Sequence, residues 1–387
     1  QEEFTAAVVE NGFTEDVALW CFRSILGFAS YGFCHAHAAA FGETAYKSAW
    51  LLAHYPAHYL MGVMNNFPMA YYPLRTVVSE ARRRGIKVLG PDINRSSTDD
   101  RANHSTIRAG LKHVNGIKKR TLDAIETARA EGPFVSTADF CIRVPASRDE
   151  VESLALAGAF DRLHPNRKAV LRGAERLTRE GADRRAFPGL NMGASPLPNA
   201  RDFTPYEKSL RELATLGFCA GPDPMAFHRE QLRRVGVQTC AEALAARPGH
   251  RVLVAGWRTR AHTPPIKSGK TIVFFMLEDE TALVDVTVFP DIYDIYGRVI
   301  FSERMVVVSG TAQDRDGAYC LVAESVRPLR EVLSAAREME ESLPVLSDTS
   351  FAECGWELPV PGFGIPIRAE RQDSGFRPDA PTRFVAR

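Results

Sequence analysis

The chain has 387 residues, of which 45% are hydrophobic and 25% are charged, and its formal net charge is +1. This length provides for about two to four domains with ample hydrophobic cores, and the composition is that of a soluble globular protein. The small net charge excludes a chain that binds nucleic acid through overall basicity. Any contact with nucleic acid must therefore come from local basic patches.

The seven cysteines are scattered and include no C-x-x-C pair, which indicates neither a zinc ribbon nor a disulfide framework. A reducing cytoplasm is the simplest setting for such a chain. The sequence has no signal peptide and no long uninterrupted apolar run, so we expect no membrane span. The chain begins at Gln1 without a methionine and enters helical periodicity at once, which indicates a fragment of a longer protein or a processed piece.

Residues 4–84 are predicted to form helices, because apolar side chains recur there at helical spacing. Pro56 predicts a break between two of these helices, and a further helix over 74–84 ends in basic residues before Gly85. A strand-like run follows over 86–94. Residues 181–201 are poor in apolar side chains and rich in proline and glycine, which predicts a linker or exposed loop.

His35 and His37 stand at the start of a helix that is rich in small residues. Small residues let a helix approach another group closely, and histidines at a helix start offer hydrogen-bond donors to an anion. Because the two positions point in different directions on a helix, they make a poor metal pair. They are either ordinary helix-start residues or donors to a ligand.

The run 110–120 fits a helix-hairpin-helix hairpin. Glycine permits the tight turn, backbone N–H groups at the following helix start face a phosphate, and basic side chains add charge. The predicted DNA contacts are Asn115, Gly116, Lys118, Lys119 and Arg120. A second such turn over 157–161 lacks basic residues, and we expect it to be structural, with Arg167 and Lys168 as secondary DNA candidates.

Five strand-like segments lie between residues 251 and 326, with a short helical segment over 292–296 between the third and the fourth. This is the element order of an OB-fold. The module carries predicted DNA-binding cations at Arg258, Lys267 and Lys270. Aromatic side chains on its strands either stack bases or fill the barrel, since strand alternation buries about half of them. These aromatic residues are Trp257, Phe274, Phe275, Phe289 and Tyr319.

The stretch 31–66 closely resembles a segment of the fingers domain in the catalytic alpha subunit of bacterial family C DNA polymerases, the DNA polymerase III alpha subunit. The hairpin, the runs 132–144 and 154–163, and the OB-like run 274–281 are similar to that family as well. Residues 65–72 resemble its error-prone branch. The resemblance extends from about Phe4 to Val326, and the chain is identified as the C-terminal portion of such a polymerase.

The family motif reads Gly-Tyr-Gly-Phe-Asn-Lys-Ser-His-Ala-Ala, and His37 falls on its histidine. The resemblance implies that His37, with His35 in place of the family lysine, helps to hold the triphosphate of an incoming dNTP. Replacing lysine by histidine removes a fixed charge, which implies a weaker grip. Tyr46 matches a family tyrosine, and we expect it to pack in the core.

The resemblance implies an intact enzyme that adds dNMP to a primer in damage-tolerant replication, on DNA and with the sliding clamp or other accessory proteins as partners. The family binds two Mg²⁺ ions through palm aspartates. No segment here resembles that palm, so we expect no catalytic residue in this chain, Mg²⁺ ligands elsewhere, and no activity of the chain alone. The alternative is a non-catalytic nucleic-acid-binding accessory or scaffold protein.

The predicted architecture is a multidomain α+β chain. Its expected regions are distal fingers over 1–90, a helix-hairpin-helix DNA-binding region over 91–180, a linker and helical connector over 181–250, an OB-fold over 251–328, and a C-terminal helix and tail over 329–387.

Overall fold

The computed structural model describes residues 1–27, 34–68, 73–188, 196–264, 269–315 and 318–342. The helices in these ranges are α1 (Glu2–Glu10), α2 (Glu15–Gly27), α3 (His35–His54), α4 (Pro56–Asn65), α5 (Leu74–Arg83), α6 (Lys119–Ala130), α7 (Thr137–Arg143), α8 (Arg148–Leu156), α9 (Arg167–Ala186), α10 (Pro205–Leu216), α11 (Arg229–Arg234), α12 (Cys240–Leu244), α13 (Pro290–Ser302) and α14 (Leu329–Ser342). The strands there are β1 (Lys87–Leu89), β2 (Arg101–Ala102), β3 (Thr106–Arg108), β4 (Arg251–His262), β5 (Val273–Glu278), β6 (Leu283–Val288), β7 (Met305–Arg315) and β8 (Ala318–Pro328). No helix among these residues is long and apolar enough to cross a membrane.

The chain divides into two compact units, Gln1–Leu60 and Met61–Arg387. In the first unit, α1 and α2 are joined by a turn at Gly12 with a φ of +86°, and the rings of Phe4 and Phe22 lie 5.7 Å apart. The break predicted at Pro56 is confirmed, because α3 ends at His54 and Pro56 opens α4.

The prediction that Tyr46 packs in the core is wrong, since 72% of this residue is exposed. The helix α3 has no buried residue, although its length and small-residue content are as predicted. Small residues favour helix formation by propensity alone, so the sequence pattern predicts the helix correctly without indicating which side chains are covered.

In the second unit, the strands β1, β3 and β2 form a small sheet, in which β1 runs parallel and β2 antiparallel to β3. The run 86–94 is a strand only over β1, because Gly90 and Pro91 end it. The preceding helix α5 buries its apolar face through Leu74, Val77 and Val78.

Three buried phenylalanines form a cluster in the region of α6 to α9. The ring centroid of Phe140 lies 5.2 Å from that of Phe134 and 5.0 Å from that of Phe160. The helix α9 continues to Ala186, so the loop predicted over 181–201 is wrong for its first six residues, and residues 189–195 of that prediction lie outside the described residues. Gly181 is buried against the Cys141 carbonyl with no room for a Cβ atom, and a backbone packed this closely belongs to a helix interface rather than to a loop.

Residues 251–328 form a closed barrel with the strand order β4-β5-β6-β8-β7, which confirms the predicted OB-fold. Antiparallel pairing of β4 with β7 closes it, from Arg251 opposite Thr311 to Trp257 opposite Met305. The helix between the third and fourth strands is α13, which is longer than predicted. The barrel interior is filled by buried aliphatic and aromatic side chains that include Val254, Phe275, Val286, Val308 and Leu321.

Candidate nucleic-acid interface

The hairpin predicted at residues 110–120 is present. A short 3-10 turn over Leu111–His113 leads into a bend at Gly116, whose φ is +83°, and then into α6. Leu111 and Val114 are buried, while Asn115 and Gly116 are exposed. The N–H of Asn115 donates to the Thr215 carbonyl at 2.9 Å. The tip of the hairpin is therefore anchored from behind and open to solvent in front.

Three consecutive cations, Lys118, Lys119 and Arg120, are all exposed where α6 begins. Lys118 is the N-cap and makes no side-chain capping hydrogen bond, and the first turn contains no acidic residue. The N-terminus of a helix already carries partial positive charge, so cations there repel it. The sequence thus places positive charge where helix stability disfavours it, and an anion bound from outside would relieve this repulsion.

A carboxylate from elsewhere in the fold meets this helix start. Glu150 of α8, which is 1% exposed, accepts the N–H of Lys118 at 3.0 Å and the hydroxyl of Thr121 at 2.7 Å. Burial raises the pKa of the Glu150 carboxyl, but hydrogen bonds from Ser147, Thr121 and Lys118 outweigh burial and hold the pKa below its ordinary value. Sequence reasoning missed this residue, because no local pattern signals a bond across 32 positions.

The second hairpin turn has Gly158 with a φ of +80°. Behind it, the buried Arg167 forms a bidentate pair with Asp161 at 2.8 and 2.7 Å and donates to Glu212 at 2.8 Å. Arg167 is therefore a structural residue. The Lys168 ammonium lies 5.5 Å over the Phe203 ring.

The barrel presents a cavity of about 480 Å³ on its β4, β5, β6 and β8 strands. Phe274 is half-buried at this cavity, and its ring stacks on that of His262 with centroids 5.6 Å apart and planes at 27°. Its neighbour Phe275 is buried in the barrel core, as the alternation along β5 predicts. Tyr319 of β8 also lines the cavity. This face therefore combines aromatic rings with a cavity.

The cations of the barrel differ in their surroundings. Arg260 lines the cavity with a φ of +51°, beside a register shift between Thr259 and His262. Lys270 is exposed, and Lys267 lies outside the described residues. Arg258 is half-buried and donates to the Glu303 carbonyl at 3.3 Å. Burial lowers the pKa of Arg258, with a further contribution from Arg304.

Trp257 is not available for base stacking. It is 7% exposed, and its Nε1 donates to Asp223 at 3.0 Å. Its position on the barrel surface is covered by the Arg75 guanidinium, which lies 5.1 Å from the ring centroid. Phe289 is 39% exposed and is not among the residues that line the cavity.

Two arginines of α5, Arg75 and Arg82, have partners inside the second unit, whereas Arg84 at the end of the helix is exposed. Arg75 is 5% exposed and binds Glu278 at 2.7 Å. Arg82 donates to the Cys219 and Ala220 carbonyls at 2.6 and 2.9 Å. Thus, these long basic side chains satisfy buried acceptors of the second unit.

In the first unit, His35 and His37 lie in the first turn of α3 and are exposed. The His37 ring lies 4.6 Å from that of Phe41, one turn further along the helix. The glycine turn before them belongs to residues 28–33, which lie outside the described residues. Among the residues that the structure describes, no group of three or more His, Cys, Asp and Glu side chains is arranged to hold a metal ion.

Comparison with known proteins places both modules in recognised classes. A helix-hairpin-helix motif matches residues 85–170, and an OB-fold nucleic acid binding domain matches residues 252–329. The chain thus combines two modules of types found in nucleic-acid-binding proteins. Among solved structures, asparaginyl-tRNA synthetase from Pyrococcus horikoshii aligns with a TM-score of 0.20 and 18% identity over 24% of this chain and 22% of its own. That similarity is too low to bear on fold or function.

Relatives are found over most of the chain. This chain is 40% identical over 374 residues to the error-prone DNA polymerase of Symbiobacterium thermophilum. The alignment covers 84% of this chain and 34% of that protein. This chain is also 31% identical over 338 residues to the error-prone DNA polymerase of Corynebacterium diphtheriae, in an alignment that covers 87% of this chain and 31% of that protein. These matches confirm the relationship to bacterial family C DNA polymerases, and to their error-prone branch. The chain spans about a third of the length of these curated relatives.

Proposed function

We propose that this chain is the DNA-holding part of an error-prone DNA polymerase and acts in damage-tolerant replication in the cytoplasm. The observation that carries the proposal is the exposed run Lys118–Arg120 at the N-terminus of α6, directly behind the Gly116 turn. The positive side chains and the helix dipole both favour an anion at this position, and the turn leaves it accessible from solvent.

A DNA phosphate fits this site better than a base does. The hairpin offers backbone N–H groups and exposed cations, which contact phosphates without reading sequence. A polymerase needs contacts of this kind, because it must hold duplexes of every sequence. The barrel face supplies a second contact, in which Phe274 and Tyr319 stack bases of a single strand beside Arg260.

The test is the salt dependence of binding to a fluorescein-labelled primer–template, followed by anisotropy between about 50 and 200 mM KCl. Lys118→Glu/Lys119→Glu should weaken binding by at least about tenfold and reduce the magnitude of the salt slope by roughly two units. The matched control is Lys87→Glu/Arg95→Glu, which changes net charge equally at two exposed positions outside the hairpin. Equal salt slopes for the hairpin variant and the unmodified chain would remove the hairpin from the proposal.

We also propose that His37, with His35, contacts the triphosphate of an incoming dNTP. Both side chains are exposed in the first turn of a 20-residue helix that contains no acidic residue in that turn. His37→Ala should weaken binding of a fluorescent dATP analogue severalfold. His58→Ala, at an exposed position on α4, should leave it unchanged. Equal affinities for the two variants would contradict this role.

Nucleotidyl transfer in this proposal requires Mg²⁺ and carboxylates of a palm that lies outside this chain. The chain alone should therefore bind a primer–template but not extend it with Mg²⁺ and dNTPs. Template-dependent extension by the chain alone would show that the catalytic carboxylates are within it. A sliding clamp or other accessory protein belongs to the same proposal as a partner of the whole enzyme.

A further inference from the structure

We propose that Glu150 is the positioning residue of the DNA-binding hairpin: its two carboxylate oxygens cap two helices at once and thereby hold Lys118–Arg120 in place for a phosphate. The inference rests on the proposed DNA-binding function of the hairpin. Glu150 does not itself contact DNA in this account, because it is buried behind the helix start.

The two oxygens of Glu150 have separate tasks. Oε2 accepts the N–H and the hydroxyl of Ser147, both at 2.9 Å, and completes a capping box at the start of α8. Oε1 accepts the N–H of Lys118 at 3.0 Å and the hydroxyl of Thr121 at 2.7 Å at the start of α6. One side chain therefore caps the starts of two helices, and each oxygen already has two donors.

The helix α6 depends on this outside cap. Its own N-cap is Lys118, whose side chain has no acceptor atom, and its first turn has no acidic residue. The negative charge of Glu150 thus offsets the repulsion between the helix dipole and three neighbouring cations. Without it, the first turn of α6 would fray, and the cations would lose their fixed position relative to the hairpin tip.

Two other capping boxes among the described residues provide a contrast. Glu207 accepts from the N–H and hydroxyl of Thr204 through Oε2 alone. Glu242 does the same with Thr239 at the start of α12. A glutamine has one acceptor oxygen and serves such a box as well as glutamate does. At position 150, one oxygen would have to serve two helices, so glutamine must give up donors of one of them.

The experiment compares Glu150→Gln with Glu207→Gln in the full chain, using the same labelled primer–template and salt range. We expect Glu150→Gln to weaken binding by roughly threefold to tenfold through lost preorganisation, and Glu207→Gln to leave affinity unchanged. Both variants are also made in the Lys118→Glu/Lys119→Glu background. If Glu150 acts through the hairpin, its effect on affinity disappears there, which a general loss of folding would not produce.

The outcomes separate the two ideas. If Lys118→Glu/Lys119→Glu weakens binding but Glu150→Gln does not, the positioning role is overturned and DNA binding by the hairpin stands. Equal weakening by Glu150→Gln in both backgrounds overturns the role as well. If charge reversal of the hairpin itself has no effect, the proposed function fails first.

A second variant keeps the test decisive should Glu150→Gln fold poorly. Thr121→Val removes one donor to Oε1, keeps the side-chain shape, and leaves the Ser147 cap of α8 intact. We expect about twofold weaker DNA binding that again vanishes in the charge-reversed background. Unchanged affinity in a folded Thr121→Val protein, measured beside a folded Glu207→Gln control, would count against the positioning role.

Discussion

Arg75 and Glu278 form an ion pair in the interior of the second unit, with Nη2 2.7 Å from Oε2 and with 7% and 0% of the two side chains exposed. The same oxygen accepts the hydroxyl of Thr76 at 2.9 Å, and Arg83 lies 3.6 Å from the other oxygen. The pair joins α5, beside the small sheet, to strand β5 of the barrel. It therefore fixes the barrel against the part of the chain that carries the hairpin.

Arg75→Met should lower the free energy of unfolding by about 3–5 kcal/mol, because it leaves a buried carboxylate without its main partner. Urea denaturation followed by circular dichroism measures this loss. Arg75→Met/Glu278→Gln should recover only part of the loss, since the Glu278 charge is gone but the buried Asp223 carboxylate, 3.5 Å from Arg75, still loses its cation. Arg148→Met, which breaks the exposed pair with Glu152, is the control and should not move the midpoint. A single variant at Arg75 as stable as that control would contradict the prediction.

Phe274→Ala should weaken binding of a single-stranded oligonucleotide by about 1–3 kcal/mol, the cost of one lost stacking contact. The ring lines the barrel cavity beside His262 and Tyr319. Phe289→Ala is the matched control, because Phe289 is an exposed barrel phenylalanine that does not line the cavity. Fluorescence anisotropy with a labelled homopolymer measures both affinities. The cavity is not a base-binding face if the two variants bind equally well.

The buried thiols should resist alkylation at ordinary pH. Burial raises the pKa of the Cys141 thiol to about 12, and burial with the nearby Asp223 carboxylate raises that of Cys219 to about 12. At pH 8 only about one in ten thousand of such thiols is ionised, and the ionised fraction rises about tenfold with each pH unit up to the pKa. Iodoacetamide followed by peptide mass spectrometry should therefore modify the exposed Cys34 before Cys141 and Cys219. Cys141 and Cys219 should react as fast as Cys34 only after the protein has been unfolded in urea.

Gly116→Ala should destabilise the chain by about 1–2 kcal/mol, because the φ of +83° lies in the left-handed region that disfavours a Cβ atom. Space is not the cause, since a Cβ atom there would meet only the Ser153 hydroxyl at 3.9 Å. Gly116→Asn should lose less, because asparagine enters this region more readily. Equal thermal midpoints for the alanine and asparagine variants would show that the strain argument is wrong.

Local patterns predicted the parts of the fold that depend on local rules. Strand alternation and turn residues indicated the five barrel strands, and Pro56 indicated the break between α3 and α4. The hairpin was predictable for the same reason, since glycine, turn and basic run are adjacent in sequence. The separate environments of Phe274 and Phe275 followed from alternation alone.

Long-range pairing was not predictable from these patterns. Arg75 and Glu278 are 203 positions apart, and nothing in the local sequence of α5 indicates that Arg75 is buried. Glu150 is a capping glutamate of α8 by its local sequence, and only the fold brings its second oxygen to α6. The prediction that Tyr46 packs in the core failed for a different reason. A match to a family residue does not indicate whether other side chains cover that residue in this fold.

Closure of the barrel has a consequence for how the chain acquires its structure. The first strand, β4, obtains one of its two hydrogen-bonded neighbours only when β7 has been made, because Arg251 pairs with Thr311 across most of the module. Such a non-local contact forms late and slowly compared with the helices that precede it. During synthesis, β4 therefore keeps an open edge until Met305 and the residues after it have left the ribosome, and a chain interrupted before that point presents an edge on which aggregation can begin.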